Sequence, residues 1–260
     1  MSTVLASLPV PERRGGLPVQ VEVWGPLACF TRPELKVERV SYPVMTPSAA
    51  RGVLEAVFWK PEMRYDVTAV EVLSPMAWTS VRRNEVKSTI GPQTVRDLRA
   101  GTGRRYDTAE DRVQRATMAL RDVAYRVHGE VSLSASARPR AGADGKVEPL
   151  TASKYADQFM RRVRRGACFA QPFLGCREFS AGFGPVGSWP GADGPAVAVD
   201  RTEELGVMLH SITYTDQGEE YGWFRARLER GVLLVPSGPL PSDAVAMPVS
   251  ARRADAAQAG

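Results

Sequence analysis

The 260-residue chain has only two histidines, His128 and His210, and only three cysteines, Cys29, Cys168 and Cys176. An odd number of cysteines at wide spacing gives neither a disulfide framework nor a zinc pattern. Two histidines 82 residues apart argue against a histidine-built metal site, so no metal and no cofactor are expected. No stretch approaches the ~18 consecutive apolar residues of a membrane helix. The opening MSTVLASLPVPERRGG lacks an apolar core of signal-peptide length and is broken by Pro9 and Pro11. These absences predict a cytoplasmic protein without a membrane partner. Neither a GxGxxG nor a GxxxxGK[ST] phosphate loop is present, and no segment repeats.

What is present is ordinary globular composition, 43% hydrophobic and 24% charged, with a basic excess of +5. The excess is concentrated. Residues 82–115 hold nine basic and five acidic side chains, and residues 154–166 hold five basic and one acidic. Each segment is a solvated face or a phosphate-binding footprint.

Periodicity orders the chain. VQVEVW (19–24) alternates as a strand, with Val19, Val21 and Val23 opposite Gln20 and Glu22. Thr46 and Pro47 open a helix that carries Ala50, Val53, Leu54, Val57 and Phe58 and stops at Pro61. Residues 66–78 read as a strand broken at Pro75, and 82–115 as an excursion, either a long loop or an extended hairpin. In 119–135, Val123, Tyr125, Val127, Val131 and Leu133 share one strand face, and Ala124, Arg126, His128 and Glu130 share the other. Ser153 is placed to cap a second helix with Tyr155, Phe159 and Val163 on its apolar stripe and Gly166 at its end. Residues 167–183 suggest two short strands, and 223–236 a strand pair or a short helix with a strand. Trp59, Trp78 and the three cysteines read as core.

The order strand, helix, strand, excursion, strand, helix, strand is an α+β, ferredoxin-like (RRM-like) βαββαβ pattern, a fold that often presents a sheet face to RNA. The expected divisions are a flexible tail (1–17), a ferredoxin-like domain (18–185) with a basic hairpin insertion (82–115), a small C-terminal antiparallel β-sheet (186–240) and a second flexible tail (241–260).

Four strings carry a family resemblance: VWGPLACFTRPELKVERVSYPVMTPSAARGVLEAVFWKP (23–61), VRRNEV (81–86), QRATMALRDVAYRV (114–127) and QPFLGCREF (171–179). In the same order they resemble the CRISPR-associated Cas-five family in its subtype I-C form. The resemblance implies a CRISPR RNA-binding subunit that cuts precursor CRISPR RNA in the repeat and keeps the mature 5′ handle. It also implies partners: the backbone and large subunits of a surveillance complex, with target DNA met only through that complex. The family's cleavage is metal-independent. A ribose 2′-OH attacks the adjacent phosphorus, leaving a 2′,3′-cyclic phosphate and a 5′-OH.

Such chemistry needs a base, a cation and a donor for the leaving oxygen. One family position, before Trp-Lys-Pro, here holds Phe58, which transfers no proton. The other two correspond to Lys154 and Tyr155, with Lys154 steadying the phosphorane and Tyr155 in place of a histidine. Some relatives carry a histidine at the place of Glu130, and His128 lies two residues away on the same strand face, within reach of similar space. Tyr155 reads equally as packing. The expected RNA contacts are Lys60, Arg82, Arg83, Lys87, Arg104, Arg105, Arg126, Arg161, Arg162, Arg164, Arg165 and Arg177. Two alternatives stand beside the nuclease: a binding-only handle subunit, and an unrelated basic ferredoxin-like protein.

Overall fold

The computed structural model describes residues 8–35, 38–103, 107–135, 137–139, 149–192 and 196–241. The first strand, β1 (Leu17–Ala28), buries Val19, Val21 and Val23 as the alternation predicts. After the two-residue β2 (Arg39–Val40), Thr46 caps α1 (Pro47–Val57) by accepting the Ala49 amide at 3.3 Å, with Pro47 at the first helical position. The chain returns as β3 (Met63–Val72) and runs out as β4 (Ala77–Val86). A short helix, α2 (Pro92–Arg99), follows before the 22-residue β5 (Arg112–Leu133).

β5 organises the sheet. Its first half pairs with β4, from Ala77↔Arg121 to Val86↔Arg112. Its second half lies between β1 and β3, antiparallel to both. The halves meet at Asp122, whose φ of 53° is left-handed, a conformation that Asp tolerates better than most residues. Its carbonyl accepts the Ser74 hydroxyl at 2.6 Å.

Next comes α3 (Ala152–Arg165), then β6 (Gly182–Gly184), which adds to β1. The hairpin β7 (Glu203–Thr215) and β8 (Gly218–Glu229) is followed by β9 (Val232–Leu234), which pairs with both β8 and β3. Among the described residues the result is a mixed α/β molecule with few helices and one curled, mainly antiparallel sheet of nine strands: seven in the order β6-β1-β5-β3-β9-β8-β7, with β2 and β4 also paired to β5. The strands after residue 186 therefore continue the main sheet through the β3–β9 pairing and do not form a second one. α1 and α3 cover one face, where Leu54, Val57, Tyr155, Phe159 and Val163 pack with Val19, Val127 and Val131.

Local details depart from the sequence expectations. The cap of α3 is Thr151, whose hydroxyl accepts the Lys154 amide, and Ser153 only hydrogen-bonds Thr151. Gly166 ends α3 as expected, at φ 62°. The excursion contains α2, an amphipathic helix with no buried residue. Residues 167–183 hold one bridge, Phe173↔Ser180, before β6. At the N-terminus, the amides of Arg14 and Gly16 donate to the buried Glu130 carboxylate at 3.0 and 2.7 Å, so part of segment 8–16 is tied to β5. All but residue 241 of the expected tail at 241–260, residues 1–7 and the expected contacts Arg104 and Arg105 lie outside the described residues. Among the described residues no helix is long and apolar enough to cross a membrane.

Candidate nucleic-acid interface

The ends of α1 and α3 meet around Phe58. This residue leaves α1 in extended conformation, and its carbonyl accepts the Tyr65 hydroxyl at 2.7 Å. Its ring stacks on Tyr155, with centroids 6.4 Å apart and planes at 29°. The Arg162 guanidinium lies 5.2 Å from the Phe58 ring centre and donates to the Val57 carbonyl at 3.2 Å. Arg162 is thus occupied in holding α3 to the end of α1. Phe58 and Tyr155 are both buried.

The outward face of α3 is different. At 100° per residue, Lys154, Gln158, Arg161 and Arg165 fall on one stripe, opposite Tyr155, Ala156, Phe159 and Val163. Lys154, Arg161 and Arg165 are exposed, as are Arg164 and the neighbouring Lys60. From residue 154 to 165 the stripe runs about 16 Å along the helix axis, long enough to follow several phosphates. Tyr155, next to Lys154 in the first turn, is buried against Phe58.

His128 and Arg126 lie elsewhere. They occupy the face of β5 opposite Val127 and Val131, away from the helices. Arg126 donates to Glu22 at 2.9 Å, to Glu71 at 2.7 Å and to the Ala196 carbonyl at 2.7 Å, and its side chain is 13% exposed. His128 Nε2 lies 2.6 Å from Glu71, and its Nδ1 accepts the Gln20 amide at 3.0 Å. Burial alone would raise the pKa of Glu22. Backbone amides of the 187–189 turn and the Arg126 guanidinium outweigh it and hold the carboxyl below its ordinary value. Glu71 is also held low against its burial, by His128 and Arg126. This constellation is a closed ion-pair network. The sequence expectations joined His128 to the Lys154 site and gave Arg126 to RNA; the structure places both side chains on the other face of β5, paired with buried carboxylates across the sheet.

On the β4–β5 extension, Arg82 and Lys87 are exposed. Arg83 is not available in the same way, since it bridges Glu85 at 2.8 Å and Glu178 at 2.5 Å. Arg39 joins both acids and Arg115 joins Glu85, so Arg83, expected to contact RNA, here ties the extension to the 171–180 loop. Arg177, beside Glu178, is exposed. Trp59 and Trp78, read as core, are 48% and 44% exposed: Trp59 follows the cap of α1, and Trp78 lies on the outward side of the alternating strand β4.

A cleft of about 620 Å³ lies between the first turns of α1 and β7, lined in part by Thr46, Arg51, Glu55, Phe173 and His210. His210 Nε2 donates to the Pro236 carbonyl at 3.1 Å, and its Nδ1 is buried without a hydrogen-bond partner. Burial, with Arg51 and Arg14 nearby, lowers its pKa from 6.5. A histidine that resists protonation only when folded stabilises the fold above its unfolded pKa, and that stability is lost as pH falls from about 6.5 through the folded value. Urea midpoints measured from pH 7.5 to 5 should therefore drop more in the native protein than in His210→Gln. Among the described residues no group of three or more His, Cys, Asp or Glu is placed to hold a metal ion.

Comparison with known proteins agrees with the resemblance read in the sequence. The family model described as CRISPR-associated protein (Cas_Cas5) matches residues 19–235. The protein named CRISPR pre-crRNA endoribonuclease Cas5d from Mannheimia succiniciproducens is 39% identical over 231 residues, covering 84% of this chain and 94% of its own. Its namesake from Thermus thermophilus is 38% identical over 237 residues, covering 84% and 91%. A crystal structure of a CRISPR-associated protein superimposes with a TM-score of 0.59 at 21% identity, over 86% of this chain and 93% of that one, a likeness of fold. With the family model spanning most of the chain and two relatives above 30% identity across it, the chain belongs to the Cas5 family of CRISPR-associated proteins.

Proposed function

We propose that this chain is a precursor CRISPR RNA endoribonuclease that cuts within the repeat, retains the 5′ handle and serves as a subunit of a type I-C surveillance complex beside backbone and large subunits. The observation that carries this reading is the exposed basic stripe of α3, beginning at Lys154 beside the Phe58–Tyr155 stack, in a chain 38–39% identical to two proteins named pre-crRNA endoribonucleases. In the proposed reaction the 2′-oxygen attacks the adjacent phosphorus as its proton is lost, the bond from phosphorus to the 5′-oxygen breaks, the 5′-oxygen takes up a proton and leaves as the 5′-OH, and a 2′,3′-cyclic phosphate remains. Lys154 faces the charge that builds on the phosphorane, and Tyr155 acts by position. We read the order β6-β1-β5-β3, with α1 and α3 on one face, as ferredoxin-like, and the β4–β5 extension as the basic hairpin inserted into it.

The test is direct. Purified protein incubated with a repeat-containing RNA in EDTA should yield one cut, with a 2′,3′-cyclic phosphate on one fragment and a 5′-OH on the other. Uncut but tightly bound RNA would favour the handle-holding subunit without nuclease activity. The buried Phe58, which exchanges no proton, is the observation on that side.

The hairpin reading carries its own prediction. Deleting 88–110 and bridging with a short Gly/Ser turn removes α2, none of whose residues is buried, so the sheet should still fold. For every phosphate the hairpin no longer neutralises, the log–log salt slope of single-stranded RNA binding should fall by roughly 0.7. Filter binding across a salt series checks this, and an unchanged slope would place the hairpin off the RNA.

A further inference from the structure

Phe169 is the most exposed aromatic side chain among the described residues, at 83%. Its backbone is nonetheless fixed. The Phe169 amide donates to the carbonyls of Ala56 and Val57 at 2.9 and 3.2 Å, and the Ala170 amide donates to Ala56 at 3.0 Å. The segment thus closes the C-terminal end of α1, directly after Gly166 has turned the chain out of α3. A phenyl ring held in water on an anchored backbone gains nothing for folding, and an exposed apolar surface of this kind marks a contact. Trp59, two residues beyond Val57, flanks the same helix end and is half exposed.

The surroundings define the contact. Between residues 154 and 166 the chain has five basic side chains against Asp157 alone. Exposed Lys60 follows Trp59, and exposed Arg161 and Arg165 occupy the outward stripe of α3. Flat aromatic faces interleaved with cations match unpaired nucleotides, whose bases stack while their phosphates pair with Lys and Arg. A neutral apolar protein surface would leave these cations without counterparts.

We propose that Phe169 and Trp59 form a stacking platform for unpaired bases of the bound RNA, with Lys60, Arg161 and Arg165 along the adjoining phosphates. This rests on the RNA-binding reading above and adds to it the residues that hold single-stranded RNA at the C-terminal ends of α1 and α3. Stacking of this kind tolerates any base, so it sets where the strand lies and leaves its sequence unread.

The experiment uses the full chain and a repeat RNA carrying 2-aminopurine at one unpaired position at a time. In the native protein, at least one position should be quenched on binding. Phe169→Ala should abolish that quenching and weaken RNA binding roughly 5- to 150-fold, the range seen when one stacking side chain is truncated. The salt slope should stay unchanged because every cation on the phosphates is still in place. Phe169→Tyr should restore both signals and Phe169→Leu should not, and Trp59→Ala should act in the same direction. Native affinity and quenching in Phe169→Ala would overturn the proposal. Full rescue by leucine would overturn it too, as would normal RNA binding with failed entry into the surveillance complex, since the ring then meets a protein. If the native protein neither binds nor cuts the repeat RNA, the underlying RNA reading fails with it, and that result appears before any variant is compared.

Discussion

Lys154→Ala is expected to cut repeat RNA about 10²–10³ times more slowly in single turnover, the usual loss when one group facing transition-state charge is removed. Its effect on RNA affinity should be far smaller. Lys154 lies in the first turn of α3, with its amide on the Thr151 hydroxyl and its side chain on the exposed stripe. In the proposed ground state it is one phosphate contact among several along that stripe. In the transition state the phosphorane carries an additional negative charge, and the nearest fixed cation gains the most. Single-turnover rates at saturating protein separate the two effects. A native rate constant in Lys154→Ala would remove the residue from the site. Tyr155→Phe supplies the contrast, because it keeps the ring that stacks on Phe58 6.4 Å away and holds α3 in place. It should cut within a few-fold of the native rate, whereas loss of most activity would assign a proton-transfer role to the hydroxyl.

Much of this arrangement was legible in the sequence. The Thr46–Pro47 start, the apolar spacing of α1 and α3 and the alternation of β5 are local signals, and local periodicity reports them. The two faces of β5 are separable for the same reason. What occupies those faces was not legible. That Arg126 meets Glu22 and Glu71 depends on the registers Glu22↔Arg126 and Glu71↔Arg126, set by strands 104 and 55 residues away. A basic residue on an outward face looks the same whether its partner is water, phosphate or a buried carboxylate. α2 is invisible to periodicity because a two-turn helix with no buried residue carries no core-facing signal. The joining of the C-terminal strands to the main sheet depends on β9 pairing with β3 across more than 160 residues, a contact with no local signature. Trp59 follows the cap of α1, where helical periodicity no longer says which way a side chain points.

The largest stability effect is expected at Arg126. Arg126→Met removes the cation shared by Glu22, which is fully buried, and Glu71, which is nearly so. Methionine fills much of the same volume, so the principal change is two carboxylates left in low dielectric. Glu22 keeps its amides from Ser188 and Trp189, at 3.0 and 3.1 Å, and Glu71 keeps His128. Breaking a buried pair by removing one partner costs about 3–5 kcal/mol. Urea unfolding at pH 7.5 should show a loss of that size. The pH dependence gives it a signature. In the native protein both carboxyls are held below 4.5, so their stabilisation is present above that value and is lost as pH falls through the lowered pKa values. Without the guanidinium, burial dominates and favours the protonated carboxyl, so the gap between variant and native protein should narrow as pH approaches 5. Adding Glu22→Gln to Arg126→Met should recover part of the loss, since residues in one network do not contribute additively. Where the variant is folded, its RNA affinity and salt slope should match the native values. Native stability with a reduced salt slope would return Arg126 to the phosphate footprint and take the network out of the account of stability.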